Sequence, residues 1–241
     1  MPGMKQALVI VLTERLLTII VLLLRWYDIN PQKSAKLNLI QNTESSKSTY
    51  KLDSLNNIPA VSFDGNDSLA STINMGMNGN PDFTFFVVSK VQGGAWGAFV
   101  ASGGNYNCGL FAFTRLSGSN NGAIYTGFRN SGMYYSHANL GSSSIFAIHV
   151  WAREANNVNN TFTGNTAFVN GKSQTLLIAP GSTTCTPNIA ASTLSVGTDT
   201  VGSYLIGNIA EIIIFDRALK AEDRKTIEQY LSKKWGIKLT S

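Results

Sequence analysis

Residues 207–237, GNIAEIIIFDRALKAEDRKTIEQYLSKKWGI, constrain the fold more than any other part of the chain. Over residues 209–215 nearly every position is β-branched or aromatic, the pattern of a strand buried on both faces. Such a strand needs cover above and below. Asp216, Arg217 and Ala218 interrupt the pattern, and from Ala221 the period becomes helical. Ile227, Tyr230, Leu231 and Trp235 then form one stripe, with Glu222, Arg224, Lys225, Glu228, Lys233 and Lys234 mostly opposite. Gly236 suits the left-handed residue that ends a helix. Early acids and late lysines suit its dipole. The helix thus carries a stripe fit to cover a sheet.

The rest of the chain reads as strands. Residues 82–91, DFTFFVVSKV, place Phe83, Phe85 and Val87 on one face and Thr84, Phe86 and Val88 on the other, which predicts a central strand. Residues 60–63, 98–102, 110–115, 123–128, 145–153, 167–169, 172–177, 193–197 and 204–215 continue the series between glycine- and asparagine-rich turns. Asn170-Gly171 is the strongest short hairpin signal among them. Residues 30–57 are polar with little periodicity and predict a wrapping loop with short extended pieces at 38–41 and 49–52. Many short strands with regular turn signals argue for a sandwich rather than a parallel α/β sheet. A chain of 241 residues can hold one such domain. With 44% apolar and only 14% charged residues, much of its surface must be neutral and polar.

Three blocks resemble the concanavalin A-like lectin/glucanase superfamily, in its LamG-like jelly-roll type. The closing segment is similar to a strand reading G-x-I-A-E-I-I-I-x-x-R-A-L followed by a helix ending Y-L-x-x-K-W-G. Residues 57–67, NIPAVSFDGND, resemble the family's N-G-x-P-A-V-x-F-D-G-x-D, and Phe168-Val169-Asn170-Gly171-Lys172 its strand-Asn-Gly-strand hairpin. The resemblance implies an all-β, concanavalin A-like jelly-roll β-sandwich over residues 26–241, with a C-terminal α-helix.

Residues 1–25 stand apart from that resemblance. Between Ala7 and Leu24 they read ALVIVLTERLLTIIVLLL, long enough to span a bilayer but interrupted by Glu14 and Arg15. The thirteen Leu, Ile and Val are worth about −6 kcal/mol. Two central charges cost about 5 to 7 kcal/mol and cancel most of it, which leaves insertion marginal. The expectation is an extra N-terminal apolar helix, as a membrane anchor, a helix packed on protein, or an N-terminus that has departed from the family's first strand.

Relatives of this fold include glucanases, and a retaining glycosidase needs two carboxyls about 5 Å apart. On a strand these would stand at i and i+2 or i+4, and no predicted strand offers such a pair. Glu211 is alone in its strand, so a structural partner is expected, a lysine or a backbone amide near the helix. His149 lies between Ile148 and Val150 and reads as a core or edge histidine, so no serine triad is expected. A binding role remains. Sugars are held by aromatic platforms, amides and carboxylates. Suitable types occur at Trp96, Asn105, Tyr106 and Asn107, and at Asn130, Tyr134, Tyr135 and His137 in a polar loop. Asp64, Asn66 and Asp67 could ligate calcium, but a turn that closes a hairpin is the expected explanation for them. Cys108 and Cys185 could form a disulfide in an exported protein or stay as two thiols.

The net charge of +5 comes from lysines of the final helix and of residues 33–51, interspersed with acids and polar residues. That reads as a solvated face rather than a nucleic-acid footprint. The expected role is a non-catalytic carbohydrate-binding or adhesion domain on a cell or virion surface, outside the cytoplasm, with glycans or other subunits as partners and membrane contact through residues 7–24. The rival is a structural, decoration or fibre protein that binds no glycan.

Overall fold

The structure, a computed structural model, describes residues 7–10, 21–22, 25–31, 34–93, 97–103, 110–115, 124–129, 135–137, 145–155, 164–178, 186–189, 192–199 and 202–240. Its first strands are β1 (Ala7–Ile10), β2 (Val21–Leu22), β3 (Arg25–Trp26), β4 (Leu39–Ile40), β5 (Thr49–Leu55) and β6 (Ile58–Asp64). Then come β7 (Leu69–Asn74), β8 (Phe83–Gly93), β9 (Gly97–Ser102), β10 (Leu110–Arg115), β11 (Ile124–Arg129) and β12 (Tyr135–His137). The last are β13 (Ala147–Arg153), β14 (Asn165–Val169), β15 (Lys172–Gln174), β16 (Leu176–Ile178), β17 (Thr193–Val196) and β18 (Ile206–Phe215), followed by one helix, α1 (Ala221–Trp235).

They form two antiparallel sheets. The first has the order β15-β14-β13-β8-β18-β6-β5-β2, with β1 also paired to β18. The second has the order β16-β12-β11-β10-β9-β17-β7-β4-β3. β8 is central, as its two apolar faces require. Phe83, Phe85 and Val87 join the core between the sheets, while Phe86 and Val88 lie beneath α1 with Ile227, Leu231 and Trp235. The first sheet is therefore covered on both sides, which is why its strands read as continuous apolar runs. In β18, Ile209, Ile212 and Ile214 face the second sheet, and Ala210, Ile213 and Phe215 face the helix. The change of parity comes from an irregularity in pairing with β8 between Ile209 and Glu211.

α1 ends at Gly236, in the left-handed conformation at φ 66°, as its sequence predicts. Asn170 and Gly171, at φ 49° and 85°, form the two-residue hairpin between β14 and β15. The Asn170 side chain also accepts the backbone N–H of Ile148 at 2.8 Å, and its carbonyl accepts that of Thr240 at 2.7 Å. One hairpin tip thereby ties β13 to the C-terminal tail.

Several expectations are corrected. The apolar segment of residues 7–24 is not one helix: β1 pairs along Ile212–Phe215 of β18 and β2 pairs with β5. β6 accompanies only Ile206 to Ile209, so the remaining edge of β18 needs a strand to satisfy its backbone groups, and β1 supplies it. Among the described residues no helix is long and apolar enough to cross a membrane. Residues 30–57 are more ordered than a wrapping loop, because the seven-residue β5 pairs with β6 at Thr49, Tyr50, Lys51 and, past an irregularity, Leu55. Residues 172–177 are not one strand; β15 closes the first sheet and β16 the second. On α1, Arg224 and Glu228 are buried although their charge suggests the wet face, and Tyr230 is 43% exposed. Arg224 and Glu228 tolerate burial because they pair with each other at 2.7 Å, with the guanidinium 3.5 Å from the Phe168 ring centroid. Burial pushes the Glu228 carboxyl above its ordinary range, while Arg224 pulls it the other way.

Candidate functional site

Residues 64–67 form a corner where the chain leaves β6 in the first sheet and enters β7 in the second. This replaces the expected hairpin. Asp64 Oδ1 accepts the N–H of Asn66 at 3.2 Å, and Asp67 Oδ2 accepts the N–H of Asp64 at 3.0 Å. Both acids thus serve the turn itself. Asp67 is only 3% exposed. Burial pushes its carboxyl up to about 6 against the N–H of Asp64, and the charge of Asp64 pushes the same way. Gly197, at φ 83°, faces the Asp67 carbonyl and the Phe63 ring, where a side chain would collide. Among the described residues no group of three or more His, Cys, Asp or Glu side chains could hold a metal ion.

Trp96, Asn105, Tyr106, Asn107, Asn130 and Tyr134, like Cys108 and Cys185, lie outside the described residues. β9, β10, β11 and β12 are consecutive antiparallel neighbours. The chain leaves β9 for β10 and leaves β11 for β12 at the same end of the sheet, and enters β9 at the opposite end. Tyr135 and His137 belong to strand β12, not to a loop, because pairing with β11 and β16 extends them.

Register separates the two faces of the second sheet. Val196, Val100, Phe113, Thr126, Tyr135 and Ile178 form one cross-strand row, whose Val196 and Val100 are in the core between the sheets. Tyr135 is thus at a register position of the inner row. On the opposite face a row of small residues, Ala70, Ser195, Ala101, Ala112 and Gly127, crosses five strands. This is the face that α1 leaves uncovered. Ala70 is exposed there, while Ala101 and Ser195 are buried. A search for functional residue types passes over such a row, and the only trace in the sequence is alanine alternating with large residues in LFAFTR.

Glu211 has the structural partner expected of it. The irregularity beside Ile209 turns it toward α1, where its carboxylate is fully buried. Trp235 Nε1 donates to Oε2 at 2.5 Å, Lys234 Nζ lies 3.1 Å from the same oxygen, and the Tyr230 hydroxyl donates to Oε1 at 3.2 Å. Burial and the Glu211 charge both raise the Tyr230 phenol above its ordinary value. His149 is buried against Phe99, with ring centroids 5.2 Å apart, as a core histidine.

No family model matches the chain. No curated protein sequence matches it either. Among solved structures it is similar to domain 4 of AbnA, a GH43 extracellular arabinanase from Geobacillus stearothermophilus, in complex with arabinotriose. That match has a TM-score of 0.54 and 12% identity over 78% of this chain and 84% of the other. It is also similar to the native heptameric SAP-like pentraxin of Limulus polyphemus, with a TM-score of 0.51 and 13% identity over 70% of this chain and 81% of the other. The fold is that of a β-sandwich shared with an arabinanase domain and a pentraxin.

Proposed function

We propose that the chain is a LamG-like, non-catalytic carbohydrate-binding or adhesion domain that works outside the cytoplasm, on a cell or virion surface. The observation that carries this reading is the fold shared with the arabinanase domain, whose structure holds arabinotriose. The non-catalytic part rests on Glu211. A carboxylate held by an indole, a phenol and a lysine beneath a helix has no open side from which to attack a glycosidic bond. Ligand contacts are assigned to Trp96, Asn105, Tyr106, Asn107, Asn130, Tyr134, Tyr135 and His137, whose aromatic, amide and imidazole side chains suit sugar rings and hydroxyls.

Glycan-array screening followed by calorimetry tests this with the wild type, Asn107→Ala, Tyr134→Ala and Trp96→Ala. The expected outcome is a glycan whose affinity drops at least tenfold in these variants. Absence of any glycan ligand overturns the reading. So does hydrolysis of a glycan that Glu211→Gln abolishes. A second reading, a structural component of a virion or surface filament, is favoured by the apolar strand that ends the second sheet.

A further inference from the structure

α1 covers the outer face of the first sheet only in part. Beneath it lie Ala60 of β6, Val88 of β8, and Ala210, Ile213 and Phe215 of β18. Toward the start of β18 the same face carries two more cross-strand rows. Asn208 pairs with Ser62 of β6 and Lys90 of β8, and Ile206 pairs with Asp64 and Gly93. Leu205, Phe63, Val91 and Ile209 belong to the core between the sheets, so the residues that alternate with them belong to the outer face. Neither row joins the cluster beneath α1. Asn208 breaks the pattern of burial there. It is only 6% exposed, and Ser62 beside it only 9%. Among the described residues neither side chain has a hydrogen-bond partner, yet their polar atoms are not sealed from the surface. Native folds pair nearly all their buried polar groups. The partner of the Asn208 amide must therefore come from outside the fold.

We propose that this part of the first sheet is a sugar subsite, separate from the contacts assigned above, in which Asn208 and Ser62 bond the hydroxyls of a neutral sugar unit and Tyr204 and Ile206 take its apolar face. The proposal rests on the carbohydrate-binding reading and adds a place and a ligand class to it. An amide and a hydroxyl can each both donate and accept, as a sugar hydroxyl does. Tyr204 and Ile206 lie on either side of the buried Leu205 in sequence, so both turn outward, and they are 38% and 36% exposed. Among the described residues the Tyr204 side chain engages no other group. Aromatic and aliphatic surface beside a few unengaged polar groups is the make-up of a sugar site. Asp64 and Lys90 stand on the two flanking strands with opposite charge, so the subsite has no net charge with which to select an acidic sugar.

An NMR titration of the full, nitrogen-15-labelled chain tests the proposal through the side-chain amide of Asn208, whose signals are identified by their loss in Asn208→Val. The probes are arabinotriose and a panel of other neutral trisaccharides. At least one is expected to shift those signals saturably, and Tyr204→Ala to need at least tenfold more of it for the same shift. Tyr204 is exposed, so that variant keeps the wild-type melting temperature, which serves as the folding control. Asn208→Val is expected to melt at or above the wild type, because it replaces an amide that the fold leaves unpaired. A lower melting temperature would make the amide part of the fold's own support and overturn the proposal. Saturable shifts elsewhere while the Asn208 signals stay fixed overturn the subsite and leave the carbohydrate reading standing. No shift with any glycan overturns both. Tighter binding of the acidic sialyllactose at Asn208 overturns the assignment to neutral sugars.

Discussion

Replacing Asp67 with asparagine should stabilise the protein at neutral pH, which is the reverse of what losing a hydrogen-bonded carboxylate usually does. The Asp67 carboxyl stands at about 6, against an ordinary 3.8, because it is buried beside Asp64. A folded value above the unfolded one means that folding favours the protonated form. The stability this group contributes is complete below about pH 3.8 and is lost as pH rises through about 6. The gap corresponds to about 3 kcal/mol, a ceiling because Asp64 relaxes and water reaches the corner. Asparagine is neutral throughout, and its Oδ1 can still accept the N–H of Asp64. Asp67→Asn should therefore gain about 1 to 3 kcal/mol at pH 7 and almost nothing at pH 4. Urea unfolding of both proteins at intervals from pH 4 to pH 7, with EDTA present, measures the difference. A difference that does not change with pH, or a loss at pH 7, refutes the reasoning. Calcium makes the test sharper. A cation at Asp64 and Asp67 would hold both carboxyls ionised and reverse the sign at pH 7, so equal results with calcium and with EDTA identify the corner as a turn alone.

The remaining predictions concern the closure of the sandwich. Trp235→Ala removes a buried ring and the donor to Glu211 and should cost about 3 to 5 kcal/mol by denaturant unfolding; a loss well under 1 kcal/mol would mean that α1 is loosely attached. Glu211→Gln keeps an acceptor for the indole but loses the charge facing Lys234, and should lower stability by about 1 to 3 kcal/mol. Pairing it with Lys234→Ala in a double-mutant cycle should show a coupling above about 0.5 kcal/mol, and additive losses would remove the ion pair from the account. Gly197→Ala forces a Cβ into the Phe63 ring at a left-handed φ and should cost on the order of 2 kcal/mol or more in thermal or urea unfolding; a neutral result would mean that the corner shifts freely.

What could be read from sequence follows from what local pattern encodes. β8 and β18 announce their two-sided burial because each residue reports its own face, and Asn170-Gly171 announces its turn because few other residue pairs take two left-handed conformations easily. Glu211 was legible in part. Its isolation pointed to a structural partner near the helix, but the irregularity that aims it at Trp235 arises from pairing with β8, a strand more than a hundred residues earlier. The same limit explains the errors. An apolar run such as residues 7–24 has no period that separates a buried helix from strands, and only the open edge of β18 decides between them. Tyr135 and His137 look like loop residues because three residues among polar neighbours are too few to show a period; β11 and β16 impose the strand from either side. Arg224 and Glu228 look wet because charge normally is, and become buried only where Phe168 offers the guanidinium a face. The candidate binding features lie further still from the pattern. The row from Ala70 to Gly127 is defined by small residues drawn from five separate strands, and its order by the register in which those strands pair. Neither property belongs to any single residue, so a search by residue type could list Tyr135 as a ligand contact but could not tell that its row continues through Val100 and Val196 in the core.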